Sequence, residues 1–348
     1  MFEIQYRTAK TATDAEITEL TELGNILRKE THPNDPPKLP TVQIQELKSL
    51  PDLIEVHFWV ARENNMPVGL ANLQILHLPD NQHMAQCSIQ ILPEHRQKGL
   101  GTRFLQEAVQ VAKNANRSLV LTMTHDRIPA GTTFAKRNGF TPGMETQVSQ
   151  LNLSELESNK LKTWIKEGET RALDYVLGSW EGAIPEDEIT AFTTLMDVMN
   201  TQPKGDLEIE DQHLTPELVR EIEKVKFGAG GKRVISYVKH RTTGEFAGYT
   251  ELEWHPSRAS IVMQEATGVN PEHRNQGLGK WLKAANLEHL LRLNPGAEFV
   301  RTGNADVNAA MLKINLELGF KPYFAATAWQ GNTDTILEKL EHQNATLA

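Results

Sequence analysis

Two runs of the chain carry the residue types that hold a phosphate group. Residues 91–101 read ILPEHRQKGLG and residues 269–279 read VNPEHRNQGLG, so each contains Arg-x-x-Gly-x-Gly. A β-rich run precedes each, and apolar residues at helical spacing follow, as with Leu100, Phe104, Ala108 and Val111. A helix N-terminus leaves backbone N–H groups unpaired and carries partial positive charge. Glycines there let the backbone approach an anion, which makes a phosphate cradle. The surroundings narrow the choice of nucleotide. Neither run continues into the Gly-Lys-Ser/Thr of a P-loop. Phe104 and Leu282 stand where a dinucleotide fold needs its third glycine.

The elements that would position these loops are duplicated. The two Arg-x-x-Gly-x-Gly runs lie 274 − 96 = 178 residues apart. Downstream, FAKRNGFTP at 134–142 is matched by INLELGFKP at 314–322, with an offset of 319 − 139 = 180. Two signatures at nearly one spacing mark an internal duplication. The halves divide as residues 1–150 and 184–348, with 151–183 as a connecting segment. In the first half a capped amphipathic helix runs through TDAEITELTELGNIL. A Pro-rich loop follows, then a hairpin of Val56–Glu63 and Val68–Leu78 around Asn64-Asn65. Next come a strand at Met84–Leu92, a helix from Gly99, a strand at Ser118–Thr124, and a short helix ending at Gly139. The second half repeats this order. Its helices are Glu186–Asn200 and Pro216–Lys226, and its hairpin is Arg233–Arg241 with Glu245–Trp254. A strand at Ser260–Val269, a helix at Gly277–Leu293, a strand at Glu298–Thr302 and a helix at Val307–Leu318 complete it. The tail Pro322–Leu340 is expected to supply final strands, and SELESNKLKTWIKEG a connecting helix.

Composition sets the outer bounds. The 348 residues suggest about two domains. Lys+Arg is 36 and Asp+Glu 45, a net charge of −9, which argues against broad nucleic-acid binding. An anionic ligand must then be held by a local device. No apolar run approaches the roughly 18 residues of a membrane span. The start, MFEIQYRTAKTATDAEITEL, lacks a signal-peptide layout. With Cys87 the only cysteine, no internal disulfide forms, and a cytoplasmic protein is expected. The 12 histidines show no metal-binding spacing, so no metal is expected. Cys87 sits in a buried-looking strand and reads as core. GAGGKR at Gly228 follows a helix and precedes a strand, so it reads as a turn.

The order of helices, hairpin, long strand, glycine loop, helix, strand, helix and Gly-Phe resembles the GCN5-related N-acetyltransferases (GNAT superfamily), in its tandem, mycothiol-synthase-like type. The resemblance covers nearly the whole chain. It implies an α+β fold of two tandem acyl-CoA N-acyltransferase domains. Each would be a mixed, mostly antiparallel sheet flanked by helices. It also implies acetyl-CoA as cosubstrate. In this family the loop binds the pyrophosphate, and the pantetheine arm lies where the strand before the loop splays from the next. Carried over, the second loop is Arg274, Asn275, Gln276, Gly277, Leu278 and Gly279, flanked by Val269 and Lys280. The first offers Arg96, Gly99 and Gly101.

Acetyl transfer to an amine needs a base, a polarised thioester carbonyl and a leaving thiolate. Alignment on Pro-Glu-His-Arg sets Glu265 against Cys87, and the family often uses a glutamate on this strand as base. Asn304 and Asn308 match the family's CoA-contacting asparagines, and the first half has Thr124 and Ile128 there. The second half is therefore the expected catalytic domain and the first a degenerate one. One departure stands out. The tyrosine that the family often supplies as acid is Asn315 here and Ala135 in the first half; neither donates as a phenol does, so either the thiolate leaves without an acid or another group such as Tyr323 supplies it. Gln264 and Trp180 are candidate acceptor contacts. Blander readings stand beside these. Glu265 could pair with Arg258, Asn304 and Asn308 could be turn and cap residues, and Trp180 could be core. The acidic run GDLEIEDQH at 205–213 reads as a solvated loop before it reads as a lure for a cationic amine. The expectation is an N-acetyltransferase acting on a small-molecule amine by direct attack, because no activated nucleophile is evident. The alternative is a catalytically inactive CoA-binding sensor or scaffold. The acceptor is not legible, since family acceptor pockets are built from variable loops. A monomer or homodimer is expected.

Overall fold

The computed structural model describes residues 2–347. In chain order the first elements are β1 (Glu3–Thr8), α1 (Asp14–Arg28), α2 (Pro40–Lys48), β2 (Ile54–Glu63) and β3 (Met66–Leu76). Then come β4 (Met84–Ile91), α3 (Leu100–Asn114), β5 (Leu119–His125), α4 (Pro129–Arg137) and β6 (Thr141–Asn152). The chain continues through α5 (Ser158–Arg171), β7 (Tyr175–Glu181), α6 (Ile189–Met196) and α7 (Pro216–Gly228). After these are β8 (Lys232–His240), β9 (Phe246–Trp254), β10 (Ile261–Val269), α8 (Leu278–Leu293), β11 (Phe299–Ala305) and α9 (Ala309–Leu318). The last elements are β12 (Lys321–Asn332) and α10 (Thr333–Leu347). The order is a mixed α/β fold built twice. Local chemistry explains its turns and starts. Thr13 and Glu16 form a reciprocal capping box at α1. Asn64 and Asn65, both at positive φ, make the tight turn between β2 and β3.

Two compact units result. One comprises Met1–Thr146, Lys204–Glu210 and Phe324–Ala348, the other Gln147–Pro203 and Asp211–Tyr323. In the first unit the antiparallel run β1-β2-β3-β4 is followed by β5, which is parallel to β4. The next strand is not its own. Residues 326–332 of β12, from the end of the chain, pair antiparallel with β5 from Ala326↔His125 to Asn332↔Leu119. Helix α10 then packs beside α3, and Ile336 and Leu340 enter the core with Phe104, Leu105 and Trp329. The tail is thus one strand and a helix, where the sequence suggested strands only. Its alternation ends at Asn332, whose Oδ1 accepts the N–H groups of Asp334 and Thr335.

The second unit follows the same plan, with β7-β8-β9-β10 antiparallel and β11 parallel to β10. Here the sixth strand is the second part of β6, beside β11, so each half lends its last strand to the other unit's sheet. Helix α5 is built into this unit and packs along α8. A Cβ at Gly168 would lie 2.2 Å from the Trp281 ring, so only glycine allows that approach. The acidic run keeps Asp206, Glu208, Glu210 and Asp211 exposed, as the sequence suggests, while its backbone is tied down. Residues 204–210 are strapped to the first unit: Asp206 N–H donates to Gly143 O at 2.7 Å, and the Gln330 amide bonds Asp206 O and Glu208 N–H. The run gives up its backbone polar groups to a partner, which a solvated loop need not do.

Candidate functional site

Both glycine loops adopt one backbone shape. Asn275 and Gly277 lie at φ 65° and 77°, and Gln97 and Gly99 at 60° and 79°. A Cβ on Gly277 or Gly99 would meet open space, so the left-handed backbone alone calls for glycine there. The second glycine has another job. A Cβ on Gly279 would meet Ile314 of α9 at 3.3 Å, and one on Gly101 would meet Phe134 of α4 at 3.2 Å, so these glycines let two helices close up. Each loop opens a helix of fifteen residues or more, α3 or α8, whose first N–H groups lack intrahelical partners. The loop arginines brace the strand ends. Arg274 Nε donates to Val269 O at 3.0 Å and its Nη2 to Thr201 at 2.7 Å. Arg96 Nε donates likewise to Ile91 O at 2.9 Å, with its guanidinium on Glu30. Lys280 is held by Glu317 and lies 4.9 Å from the Trp164 ring.

In each unit the strand before the loop stays with its parallel neighbour for three residue pairs only. These are Ile261↔Phe299 to Met263↔Arg301, and Met84↔Leu119 to Gln86↔Leu121. Beyond them the strands part. The units differ on the other side of that strand. In the first, β4 runs on β3 in unbroken register from Gly69↔Ile91 to Gln74↔Gln86. In the second, Gln264 faces Leu252 but Thr267 faces Thr250, so Glu265 and Ala266 together oppose Glu251. That is a β-bulge, a feature that re-aims side chains beside active sites. It also corrects the alignment. Across the ladder Cys87 corresponds to Gln264, since both face the equivalent leucine, Leu73 or Leu252, and Glu265 belongs to the bulge.

Gln264 and Glu265, as successive strand residues, point to opposite faces, and the bulge brings Thr267 to the face of Gln264. Gln264 is buried, and its Nε2 donates to Glu251 O at 2.7 Å and Thr250 Oγ1 at 3.1 Å. It therefore staples the bulge from the α8 side, and the acceptor contact expected of it is not what its geometry provides. Glu265 keeps an open side to solvent. Surrounding protein desolvates its carboxyl and the Glu251 carboxylate repels it, which holds its pKa above the usual carboxylate range. Lys226 acts in the opposite sense. Lys226 pairs with Glu253, while buried Glu223 and Arg233 pair with each other and Arg233 Nη1 stands 3.8 Å from Glu251. None of this buried charge network was legible as a site in the sequence.

The remaining candidates fall in separate places. Trp180 shares a sheet face with Glu251, through Trp180↔Ile235 and Ile235↔Glu251, and packs on Tyr237 at 4.3 Å and Phe192 at 5.0 Å. Asn308 caps α9, its Oδ1 accepting Met311 N–H at 3.3 Å. Asn315 is buried between Lys283 and Asn304 and bonds both. Tyr323 lies against Arg301, whose Nη2 is 3.4 Å from the phenol oxygen. It is thus tied to β11 and is no part of the Asn315 chain. Cys87 is core as expected, its thiol pushed up to about 12 by burial. Gly228 and its neighbours form the turn between α7 and β8. Among the described residues no cluster of His, Cys, Asp or Glu is arranged to hold a metal ion, and no helix is long and apolar enough to cross a membrane.

Splayed strands, a left-handed glycine at a helix start and a bulged carboxylate form a recognisable whole. The family model described as acetyltransferase (GNAT) family matches residues 20–140. A mycothiol acetyltransferase of Saccharomonospora viridis is 26% identical over 261 residues, which are 73% of this chain and 76% of that protein.
Both matches place the resemblance in the GNAT acetyltransferases.
Among solved structures, a tandem GNAT protein from the clavulanic acid biosynthesis pathway shares the fold over 96% of this chain and 99% of its own, at 23% identity and a TM-score of 0.76. A GCN5-related N-acetyltransferase from Sphaerobacter thermophilus covers 95% of this chain and 96% of its own, at 12% identity and a TM-score of 0.65. The family-model match lies in the half with the unbroken ladder, so likeness to the family pattern and possession of the bulge fall in different halves.

Proposed function

We propose that this chain is a GNAT-type acetyltransferase that moves an acetyl group from acetyl-CoA to an amine of a small molecule in its second unit, by direct attack of the amine. The observation that carries the reading is the bulge at Glu265, beside the gap between β10 and β11, with Gly277 at the head of α8. A carboxyl held above its usual range suits a general base, because proton transfer is best when donor and acceptor are matched near working pH. The carboxylate would take a proton from the amine, directly or through water. Backbone N–H groups at the parted strand would polarise the thioester carbonyl. The thiolate, with a reference pKa of roughly 8.5, leaves tolerably unaided. The first unit has the loop and the parted strands without the bulge, and buried Cys87 lies on its ladder. That combination fits a scaffold, or a second CoA site without chemistry.

Acetyl-CoA binding by calorimetry tests this. Single substitutions suffice, since a Cβ at Gly277 or Gly99 meets open space whereas one at Gly279 or Gly101 would crowd a neighbouring helix. Gly277→Glu places a carboxylate where a phosphate would sit. It should abolish binding coupled to turnover, while Gly99→Glu leaves turnover intact. Loss of turnover in Gly99→Glu alone would reverse the assignment of units. No binding by the wild type would remove the acetyl-CoA reading altogether.

A further inference from the structure

Behind the second glycine loop the protein buries an ammonium that pairs with no carboxylate among the described residues and lies 5.7 Å from the Phe320 ring. Lys283 of α8 is 1% exposed, and its Nζ donates to Asn315 Oδ1 at 2.9 Å. Asn315 Nδ2 in turn donates to Asn304 Oδ1 at 2.7 Å. The direction of this chain is forced. An ammonium has three donors and no acceptor, so the Asn315 oxygen must face it and the Asn315 nitrogen must face outward. Asn304 then uses its oxygen inward and can present only N–H groups. It stands on β11 past the last pair that β11 makes with β10, half-buried, and its Nδ2 makes no hydrogen bond among the described residues.

The duplicated half serves as an internal control. At the 178-residue offset of the helices the counterpart of Lys283 is Leu105, and at the 180-residue offset the counterparts of Asn315 and Asn304 are Ala135 and Thr124. Leu105 and Ala135 lie in the apolar core, and the Thr124 hydroxyl accepts from Trp329 Nε1 at 2.8 Å. The same place in the same fold is thus filled without a charge. Burying an ammonium costs several kcal/mol, and apolar side chains of similar volume do as well or better. Stability does not call for Lys283. Burial alone also draws its pKa down to about 7, which marks how weakly its surroundings compensate it. Of the charged groups nearby, Lys280 of α8 pairs with Glu317 of α9, and Arg301 of β11 bonds Gln150.

We infer that Lys283 is a positioning residue for the acyl-CoA, which acts through Asn315 to make Asn304 offer an amide N–H to the gap between β10 and β11, where a carbonyl oxygen of the pantetheine arm would accept it. The inference rests on the acetyl-CoA reading above. Its test is a double-mutant cycle on acetyl-CoA affinity at pH 6.5, with Lys283→Met, Asn304→Ala and the pair, each followed by thermal melting. Lys283→Met should stay folded yet bind about tenfold more weakly, the scale of one well-oriented hydrogen bond. Asn304→Ala should weaken binding similarly, and the pair no further than Asn304→Ala alone. Unchanged affinity in Lys283→Met, or losses that add, would overturn the inference while leaving the acetyl-CoA reading in place. A wild type that binds no acetyl-CoA overturns both. Should Lys283→Met fail to fold, heats of binding at pH 8 in two buffers of different ionisation enthalpy decide. Wild type should take up protons as Lys283 recharges, and Asn304→Ala should not. No uptake, or uptake that persists in Asn304→Ala, overturns it.

Discussion

Glu265 and Gln264 are adjacent in sequence and lie on opposite faces of β10, the one exposed and the other buried beside the bulge. For Glu265 two consequences can be measured. A base must be ionised, so turnover should fall as pH drops through a midpoint above the ordinary carboxylate range. Glu265→Gln should lower kcat by roughly 10²- to 10⁴-fold while acetyl-CoA affinity holds. An unchanged kcat would remove Glu265 from the chemistry. The stability effect has the opposite sign. A carboxyl whose folded pKa is raised makes the folded state less stable once pH exceeds the unfolded value, and that cost is fully present above the folded one. Glu265→Gln should therefore melt at or above the wild-type temperature at neutral pH, and a lower melting point would contradict the desolvated setting. Cys87 gives a second check. A thiol pushed up to about 12 and 5% exposed should stay inert to a thiol reagent until the protein unfolds. Cys87 was legible by type and place, and Glu265 by type, its place in the bulge having escaped the alignment. Lys283 was not, because a lone lysine on an amphipathic helix reads as surface, and only packing shows it inside.

The bulge itself is an element-scale device, and Gln264 holds it. Its mark is in the burial pattern of the strand. Alternate burial in β4 runs Ala85 then Cys87, a step of two, whereas in β10 it runs Val262, Gln264, Thr267, a step of two and then three. A break in period two within a strand is what one inserted residue produces. An alignment carried without a gap from the Pro-Glu-His-Arg block steps over it, which is why Glu265 was matched to Cys87. Gln264→Leu keeps the volume and removes the staple, leaving Glu251 O and two threonine hydroxyls without that donor. The cost should be about 1–3 kcal/mol by denaturant melts, as for a buried group left unsatisfied. Turnover should fall with it, since Glu265 is aimed by the bulge. Full stability in Gln264→Leu would mean that the backbone holds the bulge unaided.

The whole molecule cannot be cut where its sequence repeats. Periodicity and the paired glycine signatures made the duplication and the order of nearly every element legible, because those features are local. The exchange of final strands was not legible, since β6 and β12 follow identical Gly-Phe signatures and nothing local says whose sheet each joins. The physical consequence is that the first unit is finished by residues from the far end of the chain. Trp329, Ile336 and Leu340 are each at most 2% exposed in its core. At about 1.5–3 kcal/mol for each fully buried large side chain, these three contribute roughly 5–9 kcal/mol, as much as the net stability of many domains. Their loss also uncovers the β5 edge that β12 pairs with along seven residues. A chain ending at Tyr323 should therefore lose the first unit's melting transition, expose Trp59 to solvent quenchers, and aggregate through the bared strand. The test is calorimetry and tryptophan quenching of that truncation beside the full chain. A truncated protein that melts like the full one would mean that residues 1–146 hold their fold without the exchanged strand, and the repeat boundary would then be a domain boundary after all.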